Sequence, residues 1–186
     1  MEEDGVITIS DEFISSGFVV KPVNEGSSFG ITIFKQSPSE NEFRESVKEA
    51  RKVSRSIMLE EYIEGRELTV SILNNNSLPI VEIIPKGDYY DYKSKYTKFQ
   101  SEYIVPAKID RETEELLCAY SLKIHKLIGC VSYSRIDFRL SKDNEVYFLE
   151  INTLPGFTAT SLFPKAAKSA GISYGELINK IIKLSI

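Results

Sequence analysis

S-R-I-D-F-R-L-S-K-D-N-E-V-Y-F-L-E-I-N-T-L-P-G-F-T-A-T-S-L, Ser134 to Leu162, holds two apolar-rich runs on either side of the polar turn Ser141-Lys142-Asp143-Asn144. Such an arrangement predicts an antiparallel hairpin. Alternate residues of a strand share a face. Arg135 and Asp137 therefore point one way on the first strand, while Val146, Phe148, Glu150 and Asn152 share a face of the second. Depending on register, Asp137 lies opposite or diagonal to Glu150, within reach across the ladder. Two carboxylates and an amide oxygen in otherwise apolar strands are costly to bury unpaired. Hard divalent cations accept such oxygens, and Mg²⁺ commonly takes one or two carboxylates together with substrate phosphates. The alternative is that Asp137 and Glu150 are exposed, or paired with Arg135 and Arg139.

The 186 residues, 42% hydrophobic and 27% charged, suffice for a domain with a sizeable core. A net charge of −4 gives no global electrostatic case for nucleic acid. Met1-Glu-Glu-Asp is acidic where a signal peptide is basic, and no apolar run approaches membrane length. A cytoplasmic protein is expected, with neither nucleic acid nor membrane as partner. Cys118, Cys130 and the single histidine, His125, read as packing residues of a helix and its end.

Outward from the hairpin, the chain divides into an uncertain segment 1–17, a portion 18–63 and a portion 64–186. Val6-Ile7-Thr8-Ile9 suggests a short strand. Phe18 to Lys21 predicts a strand ending at Pro22, with Ile31 to Phe34 as its return. Between them, Asn24-Glu25-Gly26-Ser27-Ser28-Phe29-Gly30 is either a plain turn or a small-residue loop whose N–H groups and hydroxyls meet a phosphate. Ser39-x-x-Glu42 is a capping-box pattern opening a helix to about Arg55, with Phe43, Val47 and Ala50 on its buried stripe. Ile57 to Ile63 reads as a strand; Leu68 to Leu73 and Leu78 to Ile84 read as a hairpin around Asn74-Asn75-Asn76-Ser77. Lys86 to Val105, polar and tyrosine-rich, is expected to be a lid. Asp110 caps a helix running to Leu127 that buries Leu116, Leu117, Tyr120, Ile124 and Leu127. Ser161 to Ala170 and a helix capped by Ser173 and Glu176 complete the chain.

Four ordered blocks resemble the D-alanine–D-alanine ligase family. They are Lys21-Pro22-x-x-Glu25-Gly26-Ser27-Ser28-Phe29-Gly30, Glu60-Glu61-Tyr62-Ile63-x-Gly65-Arg66-Glu67, Tyr90-Asp91-Tyr92-x-x-Lys95-Tyr96, and Arg135-x-Asp137 with Glu150-x-Asn152-Thr-x-Pro155-Gly156 and Ser161-Leu162. The resemblance implies an α+β, ATP-grasp fold of antiparallel sheets with packed helices, spanning the C-terminal catalytic portion. The family's N-terminal domain has no counterpart ahead of Phe18. ATP and two Mg²⁺, with Mn²⁺ as a substitute, are the implied cofactors. The implied reaction joins two D-amino acids through an acylphosphate, for peptidoglycan precursors.

By the same resemblance, Asp137, Glu150 and Asn152 hold the metals. Lys21, Ser27, Ser28 and Lys95 meet phosphate, with Glu25 in the same nucleotide-binding loop; Glu60, Glu61 and Ile63 form the adenine hinge; Glu67 takes the ribose hydroxyls. Arg135 and the Gly156 amide stabilise the oxyanion, and Tyr96 joins Ser27 in closing the site. Asn152, Gly156, Ser161 and Leu162 receive the second substrate, D-alanine. D-alanine–D-serine ligases of glycopeptide resistance are also similar, so D-serine stays open as that substrate, as does a homodimer. A non-catalytic ATP-binding module, or a ligase for a different carboxylate and amine, are the alternatives. Ser132 stands where the family usually has glycine, and Thr160 where many members have histidine.

Overall fold

The computed structural model describes residues 14–24, 29–85 and 101–185. The chain divides into two compact units, Met1–Tyr62 and Ile63–Ile186. The proposed strand at Val6 to Ile9 lies outside the described residues.

In the first unit, β1 (Phe18–Pro22) lies between β2 (Thr32–Phe34) and β3 (Ile57–Glu61), both pairings antiparallel. Phe18 and Val20 are buried on one face of β1, where Ala50 and the partly buried Phe43 and Val47 of α1 (Glu40–Arg51) cover them. The helix starts where its sequence predicts: Ser39 accepts the Glu42 N–H, and Glu42 reaches back to the Ser39 N–H at 2.8 Å. It ends four residues early. Ser54 donates to the Ser56 carbonyl at 2.8 Å, a local alternative to continuing the helix.

The second unit holds a sheet in the order β7-β6-β4-β8-β9, with β5 paired to β4. These strands are β4 (Gly65–Leu73), β5 (Asn76–Ser77), β6 (Val81–Pro85), β7 (Ser101–Ile104), β8 (Tyr133–Ser141) and β9 (Val146–Asn152). Asn74 and Asn75 both have positive φ, 51° and 58°, as a tight two-residue hairpin turn demands. β4 and β8 pair from Gly65↔Ser141 to Leu73↔Tyr133. Their even-numbered residues Leu68, Val70, Ile72, Ile136, Phe138 and Leu140 form a core with Leu117 of α2 (Arg111–Leu127). A second core joins Leu73, Leu78 and Val81 to α3 (Leu162–Ser169) and α4 (Tyr174–Leu184) through Phe163, Ala166, Ala167 and Leu177. Every described strand pairing is antiparallel, and helices cover the sheets, which is the expected α+β arrangement. No described helix is long and apolar enough to cross a membrane.

Two expectations need correction. Ser101 to Ile104 is not lid but a strand, paired along β6 from Glu82↔Ile104 to Pro85↔Ser101. The rest of the supposed lid, residues 86–100, lies outside the described residues. On α2 the buried stripe is Thr113, Leu117, Ser121 and His125, while Leu116, Tyr120 and Leu127 are exposed. Two polar members of that stripe are satisfied locally: Ser121 donates to the Leu117 carbonyl at 2.7 Å, and Thr113 to the capping Asp110 at 2.7 Å.

His125 is buried, and its Nδ1 shares a 2.7 Å hydrogen bond with Ser134 Oγ. Burial holds its pKa below the ordinary value. The native state therefore favours the neutral ring, and the unfolded chain binds the proton first as pH falls. Stability from this site is complete above the unfolded pKa of about 6.5 and is lost as pH falls towards the lower folded value. Denaturant midpoints should decline between about pH 7 and 5, and His125→Leu should flatten that decline. An unchanged slope would place the titration elsewhere.

Candidate functional site

The opposite, odd-numbered face of β4 and β8 carries polar residues in three registered pairs: Glu67↔Arg139, Thr69↔Asp137 and Ser71↔Arg135. Beyond β8, Asp137 lies directly opposite Glu150, and Arg135 opposite Asn152. A register shift between Asp137 and Phe138 makes Phe148, rather than Leu149, the partner of Phe138. This β-bulge overturns the simple alternation expected of β9. Phe148 turns to the Phe138 side, their rings 6.1 Å apart, while Glu150 and Asn152 turn to the Asp137 side. One extra residue thus lets a strand point apolar side chains one way and ligand-type side chains the other.

Asp137 is buried. It accepts from Thr69 Oγ1 at 2.5 Å, from Arg135 Nε and Nη2 at 2.9 and 2.7 Å, and from Asn152 Nδ2 at 3.1 Å. Asn152 Nδ2 also lies 3.0 Å from Oε1 of the exposed Glu150. Burial opposes the charge of Arg135, but the Asp137 hydrogen bonds and the charges of Asp137, Glu150 and Glu67 outweigh it and hold the guanidinium above its ordinary pKa. Among the described residues no group of three or more His, Cys, Asp or Glu is arranged to hold a metal. The set here is two carboxylates and an amide. A half-turn of the Asn152 amide exchanges its nitrogen for its oxygen. Three oxygens then converge, which is favourable only around a cation. The donor set therefore fits Mg²⁺, which completes its shell with water and phosphate.

Glu67 stands one pair further along β4. Burial pushes its carboxyl up; Arg139 and Arg135 oppose this, while Asp137 and Glu150 add to it. Arg139 donates through Nε and Nη2 to the Ile63 carbonyl at 3.1 and 3.0 Å and through Nη2 to the Gly65 carbonyl at 2.9 Å. Its Nη1 lies 3.7 Å from Glu67 Oε2. In the first unit, Lys21 Nζ is 2.6 Å from Glu60 Oε2, while Glu61 is exposed.

Beyond β9 the chain turns so that Gly156 backs onto Ser161: a Cβ at Gly156 would stand 3.0 Å from Ser161 Oγ. Ser161 occupies the N-cap of α3 without capping it through its side chain. Its Oγ accepts the Thr158 N–H at 3.1 Å and lies 2.7 Å from Thr158 Oγ1. Leu162 is half-buried against the second core. Ser132 ties the start of β8 to the C-terminal helix by donating to the Leu184 carbonyl at 3.0 Å.

Glu25, Ser27, Ser28, Lys95 and Tyr96 lie outside the described residues. Asp137, Glu150, Asn152 and Arg135 come together; Gly156, Ser161 and Leu162 form a second group; Glu67 and Ile63 meet through Arg139. Thr69 was missed, although Glu67-x-Thr69-x-Ser71 alternates polar residues along one strand face.

The antiparallel α+β fold, with its carboxylate–amide cluster on one face of the larger sheet, is the ATP-grasp fold of the solved relatives it matches. Residues 6–183 match the family described as D-ala D-ala ligase C-terminus, and the chain belongs to it. It is 43% identical over 173 residues to a D-alanine–D-alanine ligase from Halalkalibacterium halodurans, covering 90% of this chain and 56% of that protein. The crystal structure of the VanG D-Ala:D-Ser ligase from Enterococcus faecalis superposes with a TM-score of 0.81 at 31% identity, covering 95% of this chain and 51% of that one. A D-alanine–D-alanine ligase from Bacillus anthracis complexed with ATP gives 0.78 at 29% identity, covering 100% and 58%. The chain thus spans about half the length of the relatives it matches.

Proposed function

We propose that this chain is the part of a D-alanine–D-alanine ligase that binds ATP with Mg²⁺ and receives the second amino acid. One observation supports this above the others: the bulge in β9 turns Glu150 and Asn152 towards Asp137, giving a hard-cation donor set. Asp137, Glu150 and Asn152 would hold two Mg²⁺, with Mn²⁺ as a substitute, and the ions would supply positive charge against the phosphates. Lys21 answers the phosphates, Glu60, Glu61 and Ile63 take the adenine edge, and Glu67 accepts the ribose hydroxyls. Glu25, Ser27, Ser28, Lys95 and Tyr96 complete the nucleotide site on the family resemblance alone.

Phosphoryl transfer asks a protein for positioning and charge more than covalent chemistry. Arg135 and the Gly156 N–H stabilise the oxyanion formed when the second amino group attacks the acylphosphate carbon. Ser161 and Leu162, at the N-terminus of α3, receive the second substrate's carboxylate, where the helix dipole favours an anion. Peptidoglycan precursor synthesis in the cytoplasm is the setting, with D-serine as a competing second substrate. Calorimetry with β,γ-imido-ATP tests the metal assignment. Affinity should fall about tenfold or more without Mg²⁺ and in Glu150→Gln, as losses around metal ligands do. Equal affinity with and without the metal would overturn it.

A further inference from the structure

Arg139 touches three parts of one segment: the Ile63 carbonyl, the Gly65 carbonyl and the Glu67 carboxylate. It does so from β8, directly across the ladder from Glu67. Gly65 explains how the segment comes so near. A Cβ there would fall inside the Leu140 carbonyl oxygen, so only glycine lets β4 start against this part of β8. Lys142 adds a rim contact 2.7 Å from Glu64, exposed and therefore weak.

The bland account makes Arg139 a tether for two orphan carbonyls. Gly65 is exposed and Ile63 only half-buried, so water could satisfy both. A half-buried guanidinium is a costly way to do what solvent does freely. Its third partner says more. Glu67 Oε2 lies 3.7 Å from Arg139 Nη1, so one guanidinium reaches two backbone carbonyls and also a side chain that plays no part in tethering them.

We infer that Arg139 is a positioning residue for the nucleoside, holding the Ile63–Gly65 backbone and the Glu67 carboxylate in one fixed geometry. This rests on Ile63 and Glu67 being the adenine and ribose contacts proposed above. A guanidinium can do this because its five donors form a rigid fork; the lysine ammonium offers one point charge on a flexible stem.

The test compares ADP with 2′,3′-dideoxy-ADP, each with Mg²⁺, by calorimetry on the full 186-residue chain. The wild type should prefer ADP by about tenfold or more, since hydrogen bonds to a charged acceptor are lost in the analogue. Arg139→Met should cut that preference to less than about threefold. Arg139→Lys should fall between, because it keeps a cation but loses the fork. Glu67→Gln separates the layers. If Glu67→Gln keeps the full preference, or the wild type shows none, Glu67 is not the ribose contact and both readings fail. If Glu67→Gln loses the preference while Arg139→Met keeps it, Arg139 is only a tether and this inference alone is overturned. Should Arg139→Met not fold, Arg139→Lys carries the test, and an undiminished preference there overturns it equally.

Discussion

Given ATP, Mg²⁺ and D-alanine, the 186-residue chain is expected to bind nucleotide yet form D-alanyl-D-alanine at least about a hundredfold more slowly than a full-length relative. The physical reason is positioning. Holding reactants as near-attack conformers supplies about 7–11 kcal/mol of an enzyme's advantage, and a misplacement of about 1 Å can cost 10²-fold. The proposed residues account for the metals, the phosphates, the oxyanion and the second carboxylate. None of them grips the first D-alanine, and the chain spans 56% of its Halalkalibacterium halodurans relative. An acylphosphate formed without that grip meets water as readily as a second amino group. Phosphate release should therefore outrun dipeptide formation. The assay supplies D-alanine, then D-alanine with D-serine, and measures phosphate and dipeptide together. Dipeptide formed at a full-length ligase's rate would show that these residues suffice, and would leave the positioning argument without force.

Local chemistry was the legible part of this fold. The Ser39/Glu42 and Ser173/Glu176 boxes and the Asp110 cap each depend on residues three apart, and all three helices begin where those residues stand. The β8–β9 hairpin was legible because a polar turn separates two strand-like runs. Its bulge was not. Leu149 is apolar, so nothing in the run from Val146 to Asn152 announces that alternation breaks there, and Val146 and Phe148 were assigned to the wrong face. The α2 stripe failed for the opposite reason. Ser121 and His125 are polar in composition but buried in fact, because Ser121 bonds within its own helix and His125 Nδ1 meets Ser134 of β8, partners that periodicity cannot register. Arg139 lay further out of reach. Its partners precede it by 76 and 74 residues, and only the β4–β8 register brings them together.

That register also sets the largest stability effect expected here, which separates Asp137 from Glu150 although both are assigned to the metal. Asp137 is the counterion of Arg135; their side chains are 10% and 17% exposed, and they join through two parallel hydrogen bonds. Asp137→Asn removes the charge and replaces one acceptor oxygen with an NH₂ group. Oδ1 is held by Thr69 and Arg135, and Oδ2 by Arg135 and Asn152, so either placement of that NH₂ sets donor against donor. Breaking a buried pair from one side costs about 3–5 kcal/mol, and residual exposure puts this one near about 3. For a chain of this size the melting temperature should drop by roughly 6–12 °C. Glu150 is exposed and, among the described residues, receives a hydrogen bond from Asn152 alone, so Glu150→Gln should stay within about 0.5 kcal/mol of the wild type. Both variants should lose Mg²⁺-dependent nucleotide affinity. Melting curves without metal or nucleotide, set beside calorimetry with both, separate the two contributions. Equal destabilisation in both variants would make Glu150 a structural residue, whereas none in Asp137→Asn would mean that the carboxylate does not carry Arg135. The divergent outcome is expected because Asp137 joins a guanidinium inside the sheet through two hydrogen bonds, whereas Glu150 is exposed and bonded to the Asn152 amide.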